Sequence, residues 1–302
     1  MKRDLFLVLV IVVGLLAAAL LTHWNEEHSR DPRVQSADEQ LYLDGPAMKR
    51  LTLAFNGIAA DWYWMRSLQY VGRKMVAYED THTGNLDLNS LSFLDLRLLP
   101  ALLRMTTILD PQFLEPYYYG ALILPSLNPD EAISLLNQGI AANPHVWRLY
   151  QHLGYIYWQR GDYNKASEVY AAGAKIPGVP PWMMAMSARM KAEGGASQAA
   201  REMYTHLSES SEDPTVKQMV KTQLMRLDSL EERDKIRRVL SDYTNRSGHC
   251  ATSWKETSAA LPAAGLRINA SGAPLDPTNV PYRLIKNGCD VDLGERSELP
   301  RR

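Results

Sequence analysis

The sequence predicts an all-α fold, a solenoid of stacked helix pairs behind an N-terminal transmembrane helix, with a small mixed appendage at the C-terminus. Three observations support this prediction. The N-terminus carries an apolar run of bilayer-spanning length, helical hydrophobic periodicity continues through most of the chain, and residue types recur at intervals of 34. The 302 residues are 46% apolar and 22% charged, which is ordinary for a globular protein and sufficient for a sizeable core.

Charge and motif content exclude several functional classes. The formal net charge of −1 provides no general attraction for nucleic acid. Two cysteines cannot supply a four-cysteine zinc site, and the seven histidines are scattered without metal-ligand spacing. The chain contains no P-loop, G-x-S-x-G, GxGxxG or H-E-x-x-H motif. We therefore expect a protein that is not an enzyme, with no cofactor, no metal and no nucleic-acid partner.

The N-terminus has the pattern of a transmembrane signal anchor over residues 1–24. Lys2 and Arg3 precede an apolar run at 5–24, and about 20 such residues span a bilayer as a helix. Basic residues stay on the cytoplasmic side, so the body should lie on the periplasmic or extracytoplasmic side of an inner membrane. A cleaved signal peptide is the alternative, because Ala17–Ala19 has an A-x-A pattern, but the apolar run continues beyond it.

Two segments connect this anchor to the repeats. Residues 25–47 are polar and contain turn residues, which predicts a linker. Residues 48–112 predict an aromatic-rich helix pair, a possible degenerate repeat, because apolar residues recur there at steps of three and four. Trp62 and Trp64 of this pair are candidate partner-binding residues. The alternative places these aromatic side chains in the core.

Asp61 lies among these aromatic residues. A buried carboxylate costs several kcal/mol unless it is paired or hydrogen-bonded. The sequence therefore predicts a structural partner for Asp61, with Arg66, Arg50 or a tryptophan N–H as candidates, and an interface role as the alternative.

Residue identities recur at a period of 34 between residues 113 and 214. Small and aromatic residues share this spacing: Gly120 and Gly154; Ala132, Ala166 and Ala200; Leu136, Tyr170 and Tyr204. Prolines stand near the ends of the resulting blocks, 113–146, 147–180 and 181–214. A fixed period of this length indicates stacked repeats, each a pair of helices.

The middle block resembles the tetratricopeptide repeat (TPR). The family's signature positions are occupied by Leu153, Gly154, Tyr157, Gly161, Tyr163, Ala166 and Tyr170. Gly154 and Ala166 are small residues that allow two helices to cross closely, and Gly161 permits the tight turn between them. The outer blocks match less well, as terminal repeats of an array do.

The resemblance implies that the first helix of each pair lines a concave groove that binds protein partners. By register, the groove residues are Tyr117, Arg148, Gln151, Tyr155, Trp158, Gln159, Trp182 and Arg189. Aromatic and arginine side chains are enriched at binding hot spots. The alternative is that Trp158 and Trp182 pack against neighbouring helices. The asparagines of the family's carboxylate clamp are absent, so capture of a peptide C-terminus is not expected.

The C-terminal part of the chain changes character. Residues 215–246 predict an amphipathic helix that caps the solenoid, with a membrane-surface helix as the alternative. Residues 247–302 predict a small mixed appendage with a short helix at 252–264 and a hairpin turn at Asn287–Gly288. Residues 295–302 are predicted to be disordered.

Cys250 and Cys289 bracket this appendage. Outside the cytoplasm they could form a disulfide that closes a loop of about 40 residues and stabilises a module with little core. Free thiols are the first alternative, and a redox or metal role with the neighbouring His249 and Asp290 is the second.

These features predict a membrane-anchored scaffold or assembly factor that mediates protein–protein interactions in the bacterial cell envelope. Envelope or membrane proteins would bind through the groove and the aromatic helix. One alternative function is an accessory, non-catalytic subunit of a membrane enzyme or of a secretion or pilus machine. The other is a thiol redox protein that uses Cys250 and Cys289.

Overall fold

The computed structural model describes residues 55–79 and 91–301, together with the single positions 13, 14, 16, 17, 20, 24, 49, 50 and 52. Apart from those positions, the predicted anchor at 1–24 and the predicted linker at 25–47 lie outside the described residues. Within the described part of the chain, no helix is long and apolar enough to cross a membrane. The chain divides into two compact units, Met1–Leu127 and Asn128–Arg302.

Helices make up most of the described chain. The described residues of the first unit form a 3-10 turn at Ser92–Leu94 and the helices α1 (Asn56–Glu79), α2 (Leu99–Leu109) and α3 (Glu115–Leu127). The second contains α4 (Pro129–Ala142), α5 (Trp147–Gln159), α6 (Tyr163–Ala174), α7 (Trp182–Glu193), α8 (Ser197–Ser210), α9 (Pro214–Ser247), α10 (Ala260–Ala263) and the strands β1 (Arg283–Ile285) and β2 (Asp290–Asp292).

In the first unit α1 packs on α2, and α2 packs on α3. The buried face of α1 is formed by Ala60, Tyr63, Ser67, Tyr70 and Val71. Leu99, Leu102 and Leu103 of α2 are almost completely buried. The Tyr70 hydroxyl donates a hydrogen bond to the Asp95 carbonyl oxygen at 3.3 Å, which ties α1 to the turn before α2.

The apolar stripe that predicted α1 is not the face that this helix buries. Ile58, Trp62 and Met65 are exposed on the opposite side. Asp61 is exposed as well, so the prediction of a buried carboxylate is wrong. Because α1 carries large apolar residues on both its buried and its exposed side, hydrophobic periodicity could identify the helix but not the side that is covered.

The second unit is a stack in which each helix from α4 to α9 packs on the next. The helix pair α5–α6 has the close crossing that the sequence predicted. A Cβ atom added at Gly154 would lie 2.8 Å from the Tyr170 ring, and Gly161 forms the turn between the two helices with φ of 75°. Both predictions for these glycines are confirmed. The stacked helix-repeat fold follows from this geometry.

A buried pair of serines joins α6 to α7. The Ser187 Oγ donates to the Ser167 carbonyl oxygen at 2.8 Å, and the Ser167 Oγ donates to the Ser187 carbonyl oxygen at 2.9 Å. Ser187 stands 34 residues after Leu153, where an apolar residue would continue the repeat. The reciprocal hydrogen bonds satisfy both hydroxyls, so this departure from the pattern is tolerated in the core.

Helix α9 has the start and stop signals of a long, well-defined helix. The Asp213 side chain accepts a hydrogen bond from the Thr215 N–H at 2.8 Å, and Gly248 ends the helix with φ of 79°. Its first half packs against α7 and α8 through Val216, Val220 and Leu227. Its second half packs against the appendage through Ile236 and Leu240.

The appendage contains a two-stranded hairpin. Strands β1 and β2 are antiparallel, with Leu284 opposite Val291. The predicted helix at 252–264 is shorter than expected and is reduced to the four residues of α10, preceded by a 3-10 turn. The predicted disorder at 295–302 is wrong for the part described, because Leu299 is buried in the same hydrophobic cluster as Tyr282.

Candidate protein-binding surface

The helices α5, α7 and α9 bring their side chains together on one surface of the second unit. The Trp158 Nε1 of α5 donates a hydrogen bond to the Glu193 Oε2 of α7 at 2.7 Å. The Arg226 Nη2 of α9 lies 3.7 Å from the Glu193 Oε1. We call this the first-helix surface, and its members are Tyr155, Trp158, Gln159, Arg189, Glu193 and Arg226.

One end of the first-helix surface is aromatic. The rings of Tyr155 and Trp158 meet edge to face, with centroids 5.6 Å apart. The Gln159 Nε2 donates to the Tyr155 hydroxyl oxygen at 3.0 Å, so that the ring is held in place from the next turn. Tyr155 is 45% exposed, a large fraction for an aromatic side chain that is fixed on a helix. A rigid, exposed aromatic side chain binds a partner at low entropic cost.

The other end concentrates positive charge. The Arg189 Nε donates to the Glu193 Oε1 at 2.7 Å, and its guanidinium lies 5.1 Å from the centre of the Trp158 ring. Arg226 is mostly buried, and burial together with the neighbouring Arg189 lowers its pKa below the usual arginine value. Two guanidinium groups therefore share the Glu193 carboxylate in a partly desolvated site, which favours an additional anion from a partner.

The other groove residues predicted on this unit occupy less exposed positions. Trp182 is half-buried, and its ring meets that of Trp147 edge to face at 5.7 Å. Both Trp158 and Trp182 pack against the cluster that contains Tyr170. Arg148 is exposed, with its guanidinium 5.6 Å from the Trp147 ring centre, and Gln151 is half-buried.

Two further candidates, Tyr117 and Trp64, pack within the first unit. Tyr117 belongs to the first unit and is fully buried, with its hydroxyl donating to the Pro111 carbonyl oxygen at 3.1 Å, so it has no surface to offer. Trp64 is half-buried against Phe113 and Tyr119, with ring centroids 5.9 and 5.3 Å away.

Trp62 and Trp64 therefore do not form a single binding site. Trp62 is 53% exposed, whereas Trp64 packs within its own unit. Residues two positions apart on a helix point about 200° away from each other. Trp62 offers the larger surface to a partner, and the role of Trp64 stays a prediction.

Sequence reasoning missed two members of the first-helix surface. Glu193 lies 34 residues after Gln159, and Arg226 lies 34 residues after Ala192. Because Gln159 was a predicted groove residue, adding the period of 34 to its position would have identified Glu193 as the equivalent residue of the next first helix. Arg226 requires the further assumption that α9 continues the repeat as a first helix.

Cys250 and Cys289 form a disulfide, with their Cα atoms 5.0 Å apart. The adjacent Asp290 is held by salt bridges from the Lys286 Nζ and the Arg237 Nε, both at 2.9 Å. These cations lower the pKa of the Asp290 carboxyl well below its usual value. Among the described residues, no group of three or more His, Cys, Asp or Glu side chains is arranged to hold a metal ion.

A cleft of about 420 Å³ lies between α9 and the appendage. Its acidic lining residues already have partners within the unit. Asp228 and Glu231 pair with Arg201, at 2.7 and 3.1 Å, and the Glu232 Oε2 accepts a hydrogen bond from the Tyr282 hydroxyl at 2.8 Å. Of these interactions, the hydrogen bond between Tyr282 and Glu232 joins the appendage to α9.

No family model matches the sequence, and no curated protein matches it. Several solved structures are similar to parts of the chain, including the following two. MamA MSR-1 C2 is 16% identical, with 50% of this chain and 96% of that chain covered and a TM-score of 0.31. A crystal structure of MamA is 24% identical, with 56% and 95% covered and a TM-score of 0.32. The helix pairs described above, rather than these similarities, establish the stacked-repeat fold.

Proposed function

We propose that this chain is a non-enzymatic, TPR-like scaffold or assembly factor that binds other proteins through the first-helix surface. The observation that carries the proposal is the continuity of this surface across α5, α7 and α9, made by the contacts of Trp158 and Arg226 with Glu193. It combines an exposed aromatic side chain with clustered arginines, the residue types that dominate binding hot spots.

The chemistry of the surface favours one class of partner. Arg189 offers its guanidinium group beside the ring of Trp158, and the Arg226 guanidinium lies 3.7 Å from Glu193, the acid that the two arginines share. The fitting ligand is a protein segment that carries a carboxylate next to an aromatic or aliphatic side chain. Its carboxylate would bind to the guanidinium groups beside Glu193, and its apolar side chain would cover Tyr155.

The test is an affinity purification of the tagged, full-length protein after mild cross-linking, followed by mass spectrometry. A Tyr155→Ala/Gln159→Ala variant should lose a defined set of partners, because it removes the aromatic end of the first-helix surface. Both side chains are exposed, so their removal leaves the core intact. The matched control is Asn164→Ala/Glu168→Ala, which removes two exposed side chains from the second helix of the same pair. If the two variants recover the same partners, the first-helix surface is not the binding site.

We further propose that residues 5–24 anchor the chain in a bacterial inner membrane, with the body on the periplasmic side. Lys2 and Arg3 stand before the apolar run, and the Cys250–Cys289 disulfide suits an oxidising compartment. In intact cells, a Ser210→Cys variant should react with a membrane-impermeant maleimide, and an Asp4→Cys variant should not. The reverse labelling pattern would overturn this orientation.

A further inference from the structure

Helix α1 presents a stripe of large apolar side chains on the side opposite its buried face. Phe55, Ile58, Trp62, Met65 and Val76 are each between 53% and 69% exposed. The first unit packs against Ala60, Tyr63 and Tyr70 on the other side of the same helix. An apolar stripe of this length on a helix that is already packed on one side indicates a second interface.

The stripe follows the heptad spacing of a coiled coil. Its positions advance by alternating steps of three and four: 55, 58, 62, 65, 69, 72 and 76. All seven residues are exposed, with Gln69 and Gly72 completing the set. Alternating steps of three and four average 3.5 residues, the spacing of the a and d positions in a coiled coil. A straight helix drifts from this period by about 20° per heptad, and supercoiling of two helices around each other removes the drift.

We propose that this seam is a parallel homodimer interface, in which α1 of one protein pairs with α1 of a second copy. The charges beside the seam favour this occupant. With Phe55 at position a, Asp61 falls at position g and Arg66 falls at position e, five residues later. In a parallel pair, g of one helix faces e five residues further along the other, so Asp61 of each copy faces Arg66 of its partner.

An antiparallel arrangement lacks this complementarity. There, e positions face e positions, and the e residues Arg66 and Arg73 of the two copies would approach each other. Like charges at such contacts destabilise the pair. The proposed N-terminal anchor would also give two copies the same direction with respect to the membrane.

Two seam residues also suit a helix pair. Gly72 has nothing within 4 Å of the place where a Cβ would lie, so two helices can approach closely there. Gln69 is a polar residue at an a position, and a buried polar residue at such a position fixes the register of a coiled coil.

A bilayer surface fits the stripe less well. An interfacial helix places a broad apolar face in the lipid and keeps a basic polar face in water. In α1 the face opposite the stripe is buried in protein. The helix as a whole contains three basic residues, and the acidic residues Asp61 and Glu79 offset two of their charges. A narrow seam with weak net charge favours a second helix.

The test uses the full-length protein in detergent, with the native disulfide intact and a short bismaleimide as the cross-linker. Ile58→Cys and Val76→Cys variants should each cross-link to a second copy of themselves, because matching d and a positions meet in a parallel pair. The control is Gly57→Cys, whose site is exposed and open but lies one position off the seam. It should cross-link far less.

The orientation is tested by the same variants. In an antiparallel pair, residue 58 of one copy would lie about 20 Å from residue 58 of the other, and cross-links would form only between Ile58→Cys and Val76→Cys mixtures. That pattern would contradict the parallel arrangement. If Ile58→Cys cross-links no better than Gly57→Cys, the seam binds lipid, another protein or a segment of its own chain, and the proposal fails.

A charge exchange provides an independent check. Asp61→Arg should raise the dimer dissociation constant about fivefold in analytical ultracentrifugation, because two attractive pairs per dimer become repulsive. Combining it with Arg66→Asp should restore the dimer. If the double variant is as weak as the single variant, these residues do not face each other.

Discussion

Gly154 shows how a single residue sets the spacing of a helix pair. The Tyr170 ring fills the space that a side chain at position 154 would need, so α5 and α6 can cross closely only with glycine there. The sequence predicted the close crossing from the small residue Gly154, and Tyr170 was named only as a signature position of the resemblance, so their direct contact comes from the structure. Local pattern and tertiary packing agree at this position.

Gly154→Ala should therefore destabilise the second unit. The added methyl group would lie 2.8 Å from the Tyr170 ring, and overpacking of this kind costs about 1–3 kcal/mol. Chemical denaturation followed by circular dichroism measures the loss. In a Tyr170→Leu background the same substitution should cost clearly less, because the ring is gone. Equal costs in the two backgrounds would show that the contact does not limit the packing.

At the scale of single elements, α1 and the appendage mark what sequence reasoning can and cannot decide. The position of the hairpin turn was predictable because asparagine and glycine tolerate positive φ angles, which Asn287 and Gly288 adopt. The loop is longer than an Asn-Gly turn, since Ile285 pairs with Asp290 and four residues lie between them. The helix α1 was predictable from its apolar spacing, but its buried face was not. Tyr63 and Tyr70 are buried and Trp62 is exposed. Which side is buried depends on where α2 packs, and the spacing of apolar residues in α1 does not contain that information.

The appendage should depend on its disulfide. The bond joins residues 39 apart in sequence, and closing a loop of that size contributes about 4 kcal/mol. In a Cys250→Ser/Cys289→Ser variant, hydrogen exchange in residues 250–301 should become much faster, whereas α5 to α8 should stay protected because they belong to separate hydrophobic clusters. Unchanged exchange in the appendage would mean that its contacts with α9 keep it folded without the disulfide.

At the scale of the whole molecule, the repeats specify a surface that no single helix contains. Trp158, Glu193 and Arg226 come from three helices and meet because α5, α7 and α9 occupy equivalent places in successive pairs. The resemblance to the tetratricopeptide repeat was enough to name Trp158 and Arg189 as residues of the first helices. It could not predict that Tyr117 would be buried, because that burial depends on tertiary contacts within the first unit, such as the hydrogen bond to the Pro111 carbonyl oxygen.

The most direct test of the scaffold proposal is site-specific photo-cross-linking in the living host cell. A photoreactive phenylalanine analogue replaces either Tyr155, on the first-helix surface, or Glu168, which is exposed on α6 of the same pair. We expect a discrete cross-linked partner at position 155 and none at position 168. Cross-linking at position 168 alone, or the same products at both positions, would contradict the assignment of the first-helix surface as the binding site.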